Sequence, residues 1–249
     1  MRYFIEFSYN GKEYHGWQNQ PNAISVQRVL EEALSKLLRT KISVMGAGRT
    51  DAGVHASQMF AHFDIEDSFD VESIVFKLNC FLPKNIAIHN IFRVNDKAHA
   101  RFNATSRTYH YKIATKKNVF TYDLAYHIYF SLDVDKMNAA CKILFDYNDF
   151  QCFSKSNTDV KTYHCTIKEA FWKLDENQLI FKITADRFLR NMVRAIVGTM
   201  IEIGLGKIEV EQLHNIIKSK SRSEAGYSVP ANGLYLTNIV YPEKIKQIN

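Results

Sequence analysis

The sequence predicts an α+β protein made of two ferredoxin-like halves, each β-α-β-β-α, packed together and sharing one sheet. Three observations lead there. Apolar residues alternate at a period of two in some segments and recur at helical spacing in others. The same order of segments occurs twice along the chain, and that order is the split βαβ pattern. The 249 residues are 46% hydrophobic, enough to bury one large core or two modest ones.

The first half opens on Tyr3, Ile5, Phe7 and Tyr9, which alternate with Phe4, Glu6 and Ser8 as in a half-buried strand. Ser25 has the place of a helix N-cap, with Ile24 and Val29 set for a hydrophobic staple. Val26, Val29, Leu30, Ala33, Leu34, Leu37 and Leu38 follow at helical spacing. Ile42 and Val44 mark a short strand, and Met59, Ala61 and Phe63 another. Ile74, Val75, Leu78 and Phe81 form a helix stripe that stops at Pro83. A strand over 86–94 closes the half. The boundary falls near Thr105, giving an N-terminal half of residues 1–105 and a C-terminal half of residues 106–249.

In the second half Tyr109, Tyr111 and Ile113 lie on one face of a strand. Met137, Ala140, Cys141, Leu144 and Phe145 form a helix stripe, preceded by Asp133-Val-Asp135. Those aspartates are read as helix-start chemistry. A hairpin is expected from 167–174 and 179–185 across Asp175-Glu-Asn-Gln178. Leu189, Met192, Val193, Ile196, Val197 and Met200 form the second helix, with Arg187, Arg190 and Arg194 near its other face. A helix carrying Val210, Leu213, Ile216 and Ile217 precedes a last strand over 234–241. The polar, aperiodic stretch 150–164 reads as a mobile loop.

Lys plus Arg is 32 against 26 for Asp plus Glu, a net charge of +6, which suits a nucleic-acid partner without demanding one. Cys80, Cys141, Cys152 and Cys165 form no C-x-x-C pair, so a zinc site is not expected. Cysteines this sparse fit a reducing compartment. The N-terminus alternates like a strand instead of running apolar like a signal peptide. No stretch approaches the ~18 apolar residues of a membrane helix. A soluble, cytoplasmic protein is expected.

The least ordinary segment is Gly46-Ala-Gly-Arg-Thr-Asp-Ala-Gly-Val-His55. Its glycines permit a sharp turn and a close ligand approach. The spacing is not Gly-x-Gly-x-x-Gly and no Gly-Lys-Ser/Thr follows, so nucleotide-loop readings fail. Taken alone, Arg49 and Asp51 read as a surface ion pair on a Gly-rich turn.

The full string Gly48-Arg-Thr-Asp-Ala-Gly-Val-His55, however, resembles the signature of the tRNA pseudouridine synthases of the bacterial TruA type. The likeness extends over nearly the whole chain. It includes Tyr9-Asn-Gly with Gly16-Trp-Gln18, Ser25-Val-Gln-Arg-Val-Leu-Glu31 and Ala98-His-Ala-Arg-Phe102. It continues through Ser106-Arg-Thr-Tyr-His-Tyr111, Phe188-Leu-Arg-Asn-Met-Val-Arg-Ala-Ile-Val-Gly198 and Pro230-Ala-Asn-Gly-Leu-Tyr-Leu236. Gly226-Tyr-Ser-Val229 departs from the family pattern, where proline and small residues are more usual.

The resemblance implies an isomerase that turns uridine into pseudouridine at positions 38–40 of the tRNA anticodon stem-loop. It further implies a homodimer, no cofactor, and an active-site cleft between the halves. Asp51 matches the catalytic carboxylate, attacking C6 of the base or C1′ of the sugar, or serving a glycal route; the sequence does not choose. Arg49 matches an arginine that contacts phosphate or fills the space left by an extruded base. Tyr109 matches a tyrosine set against the uracil. Arg194 matches an arginine that keeps the carboxylate ionised and oriented. Arg101, Arg107, Lys116, Lys117, Lys155, Lys161, Lys218, Lys220 and Arg222 could line a groove for phosphates. The rivals are a non-catalytic RNA-binding module of the same fold and a synthase acting on other RNA positions. His55 and Cys80 receive no role.

Overall fold

The computed structural model describes residues 1–156, 160–175 and 178–246. Along the chain run β1 (Arg2–Tyr9), α1 (Val26–Leu38), β2 (Met45–Gly46), β3 (His55–Asp64), α2 (Val71–Phe81), β4 (Ile86–Val94) and β5 (Ser106–Ala114). Then come β6 (Tyr126–His127), α3 (Val134–Ile143), β7 (Ile167–Asp175), β8 (Gln178–Ala185), α4 (Met192–Gly204), α5 (Gln212–Ser219) and β9 (Leu234–Val240). Mostly antiparallel strands mixed with helices make this the expected α+β class. The chain divides into two compact units, Met1–Thr105 with Tyr235–Asn249, and Ser106–Leu234. The final stretch, expected with the second half, thus clusters with the first. Its register, His55 opposite Tyr235 and Ala56 opposite Leu236, ties it to β3.

In the first unit β1 is central, antiparallel to β3 on one edge and to β4 on the other. β2 and β9 both pair with β3, at 61–62 and 55–56 respectively. The period-two reading of β1 fails at Phe4, which is as fully buried as Ile5. Its ring is covered by Phe92 at 5.9 Å and Tyr241 at 5.3 Å, so this end of the strand has apolar cover on both faces. Ser25 caps α1 as expected, its Oγ accepting from the Arg28 N–H at 3.2 Å. Ile24 is 56% exposed and so lacks the cover a staple would give.

The expected strand at Ile42 and Val44 is not one. Both side chains are buried, but their backbone groups bond to α1 side chains. Ile42 N–H donates to Ser35 Oγ at 2.8 Å, Val44 N–H donates to Glu31 Oε1 at 2.9 Å, and Gln27 Nε2 donates to Val44 O at 3.1 Å. Side chains here do the work of a ladder, which apolar spacing cannot reveal. α2 starts on the Asp70 cap and ends before Pro83 as expected, with Ile74 and Leu78 buried and Phe81 exposed.

In the second unit β8 lies between β5 and β7, antiparallel to both, and β6 runs parallel to β5. The predicted hairpin is present, and its tip, 176–177, lies outside the described residues. Asp133 caps α3 through Oδ1 to the Lys136 N–H. The helix tightens into a 3-10 turn over Leu144–Asp146, which throws Phe145 out of the stripe to 48% exposure.

The stretch 150–164 is not a structureless loop over its described residues. Gln151–Phe153 is a 3-10 turn, Phe150, Cys152 and Phe153 are fully buried, and Asp149 bridges to His164. Phe150 N–H also donates to Tyr163 O at 3.1 Å. Residues 157–159 lie outside the described set. The apolar residues there are too few to show a period, yet they anchor the segment.

Candidate active site

The Asp51 loop leaves β2 and enters β3, wholly within the first unit. Its side chains alternate in exposure: Arg49 exposed, Thr50 buried, Asp51 half-buried. Thr50 is the pin, its Oγ1 sharing a buried 2.8 Å hydrogen bond with the Tyr9 hydroxyl. Residues 11–17 hold the loop from outside. Trp17 N–H donates to Thr50 O at 3.2 Å, and Gly53 N–H donates to Tyr14 O at 3.2 Å. Within the loop, Val54 N–H closes a turn on Asp51 O at 3.2 Å.

Two glycines outside the signature make this approach possible. Gly16 has φ +89°, and a Cβ on it would sit 2.4 Å from Thr50 O. A Cβ on Gly11 would sit 1.9 Å from Val54 O. Neither position admits another residue without moving the loop.

His55, given no role from sequence, is a structural tie. It is 1% exposed; its Nδ1 accepts the Gly11 N–H at 3.0 Å, and its ring stacks on Tyr235 at 4.6 Å. Tyr14 adds a third anchor, donating to Asn85 Oδ1 at 2.6 Å, and burial pushes its phenol above the ordinary range. Sequence reasoning missed Tyr9, Tyr14 and His55 as loop supports. The motifs of Tyr9 and His55 were visible, but contacts between residues 41 to 71 positions apart leave no local signal.

Tyr109 and Arg194 belong to the second unit. On β5, Tyr111 and Ile113 are fully buried while Tyr109 is half-buried, with its ring edge-to-face on Phe188 at 5.1 Å. Tyr111 donates to Pro230 O at 2.8 Å, and burial pushes its phenol far above the ordinary value. Its two neighbours are packing residues; Tyr109 is the one that keeps partial access.

Arg194 sits half-buried in the first turn of α4, and its Nε donates to Val229 O at 2.7 Å. Arg187 and Arg190 do not share its helix face, contrary to expectation. Asn191 at φ 68° starts the helix only at Met192, so both precede it, and Arg187 Nη1 donates to Thr162 O at 3.2 Å.

The departing segment Gly226-Tyr-Ser-Val229 is held firmly. Arg222 donates to Ala225 O, Gly226 O and Ser228 Oγ, and Asn191 Nδ2 donates to Ser228 Oγ at 2.7 Å. Arg222 is therefore a structural clamp. Of the other basic residues, Lys220 pairs with Asp149 at 2.8 Å and Arg107 donates to Asp186 O at 2.8 Å.

The first unit thus brings Arg49 and Asp51 together on one pinned loop, and the second brings a half-buried tyrosine and a half-buried arginine to the starts of β5 and α4. A carboxylate on a rigid loop suits nucleophilic or general-base work because little reorganisation accompanies the reaction. Among the described residues no group of three His, Cys, Asp or Glu could hold a metal ion. Among them, too, no helix is long and apolar enough to cross a membrane.

Comparison with known proteins adds an independent line. A family model described as tRNA pseudouridine synthase matches residues 6–103 and 140–242. The tRNA pseudouridine synthase A of Parabacteroides distasonis is 52% identical over 245 residues, covering 98% of this chain and 97% of that protein. That of Bacteroides thetaiotaomicron is 52% identical over 248 residues, covering 98% and 92%. That of Bacillus subtilis is 39% identical over 245 residues, covering 97% and 99%.

Proposed function

The chain belongs to the tRNA pseudouridine synthase family, and on that premise we propose that it isomerises uridines 38–40 of the tRNA anticodon stem-loop with Asp51 as the catalytic carboxylate. As an isomerase it imports no atoms. The N1–C1′ bond of uridine breaks, a C5–C1′ bond forms, the C5 proton leaves and N1 gains a proton. Such chemistry needs no cofactor.

The observation that carries the reading is the pinned loop. Asp51 lies half-buried beside the buried Thr50, whose hydroxyl is locked to Tyr9. The carboxylate is thereby held for attack on C6 or C1′, or for removal of the C2′ proton. In this reading Arg49 takes a phosphate or the gap left by the flipped base. Tyr109 lies against the uracil and its hydroxyl moves the C5 proton. Arg194 supplies a cation that favours the ionised carboxylate.

The protein works as a homodimer in the cytoplasm, a setting its cysteines suit. All four are free, and burial pushes the thiols of Cys141, Cys152 and Cys165 up to about 12, so they stay protonated and inert.

The test is a pseudouridine map of total tRNA from cells with and without this protein. Loss confined to positions 38–40 is the expected result. Loss at other positions would make it a synthase of different target, and an unchanged map would favour a non-catalytic RNA-binding module.

A further inference from the structure

Beside Arg49 the first unit has a pocket of about 270 Å³, with Trp17, Gln18, Gly48, Arg49, Arg101 and Phe102 among its walls. Phe102 is the most exposed of the pocket's large apolar residues. The residue is 74% exposed, a large apolar group left in water. It is nevertheless held in place. The His99 ring lies 4.3 Å from it and the Arg101 guanidinium 5.7 Å.

The turn beneath it is locked from several sides. His99 Nδ1 accepts the Arg101 and Phe102 N–H groups, and Asn103 Oδ1 accepts the His99 N–H at 2.6 Å. The His99 ring in turn packs edge-on against the buried His62 at 4.6 Å, and His62 Nδ1 accepts the Ala100 N–H. A fixed, exposed aromatic face beside arginines is the arrangement that receives an unpaired nucleobase and its phosphate. Gln18 also lines the pocket, its amide fixed by a 2.9 Å bond from Nε2 to Gln27 Oε1 and offering polar atoms to a base edge. The lining residues include two arginines and no carboxylate, which favours an anionic ligand.

Arg49 precedes Asp51 by two residues, so their Cα atoms lie within about 7 Å. Asp51 itself is not among the lining residues, so a base held here is a neighbour of the reacting uridine. We propose that this pocket is a second nucleotide subsite, in which an unpaired base adjacent to the target stacks on Phe102 and its phosphate meets Arg101 and Arg49. The proposal rests on the RNA-modifying reading above.

The test uses the full-length protein and synthetic anticodon stem-loop RNAs carrying 2-aminopurine at single loop positions. Phe102→Leu and Phe102→Tyr are both surface changes, and an unaltered melting temperature checks the fold. One loop position is expected to show quenched fluorescence with the native protein and with Phe102→Tyr, but not with Phe102→Leu. Stem-loop affinity falls about 5- to 150-fold in Phe102→Leu, the range of base–aromatic stacking.

Equal affinity and quenching in Phe102→Leu would overturn the subsite. So would an equal loss of affinity for a blunt RNA duplex, which would mean backbone contact. Binding of polyglutamate that Phe102→Leu abolishes, with RNA binding unchanged, would overturn it in favour of an acidic peptide. If the native protein forms no pseudouridine, the catalytic reading fails instead, while the quenching pattern still decides the subsite.

Discussion

At the scale of single residues, Tyr109 and Arg194 separate binding from chemistry. Tyr109 retains partial access beside Phe188 while Tyr111 is buried and bonded to Pro230 O. If its hydroxyl moves the C5 proton, Tyr109→Phe lowers the single-turnover rate roughly 10²- to 10⁴-fold with RNA affinity unchanged. Full activity in that variant would leave the ring with stacking alone. Arg194 is anchored through Nε to Val229 O, which orients its guanidinium fork. Arg194→Lys keeps the charge and loses the fork, so turnover is expected to fall steeply with little change in affinity. A drop in affinity alone would make it a phosphate contact.

At the scale of elements, the Asp51 loop depends on a segment remote in sequence. Gly16, at φ +89° against Thr50 O, cannot take a side chain without displacing the loop. Gly16→Ala is predicted to destabilise by about 1–3 kcal/mol, seen as a melting temperature lowered by several degrees. Activity should fall further than that loss of stability explains, because Thr50 and Asp51 move together. An active, fully stable Gly16→Ala protein would show that the loop does not lean on residues 11–17.

How far the sequence disclosed these elements depended on the source of their order. Ser25, Asp133 and Pro83 announced helix ends because capping and proline chemistry act within a few residues. Ile42 and Val44 misled because α1 side chains, not a neighbouring strand, satisfy their backbone. The 150–164 stretch misled because three buried apolar residues, Phe150, Cys152 and Phe153, anchor it without a period. Arg49 and Asp51 were legible as a pair in one turn, whereas the supports Tyr9, Tyr14 and His55 act across distant stretches of chain.

At the scale of the whole molecule, one buried histidine ties stability to pH. Desolvation, then Arg2 and His99, lower the pKa of His62 to about 4, against a smaller opposing effect of Asp64. An unfolded His62 titrates near 6.5, so the unfolded chain binds the proton first as pH falls. Stability is full above about pH 6.5 and is lost as pH drops toward 4, by about 2–3 kcal/mol from this group. Urea denaturation at pH 7 and at pH 4.5 measures the loss, and His62→Gln should shrink it; an equal loss in the variant would assign the effect to other groups.

The proposed isomerisation turns on one carboxylate, Asp51, on a pinned loop. Asp51→Asn keeps the size and removes the nucleophile, while the loop ties through Thr50 and the backbone of residues 50–54 stay in place. The direct measurement is pseudouridine formation under single-turnover conditions together with an RNA-binding titration on the same preparation. No detectable product, with affinity close to native, is the expected result. Near-normal product formation by Asp51→Asn would contradict it.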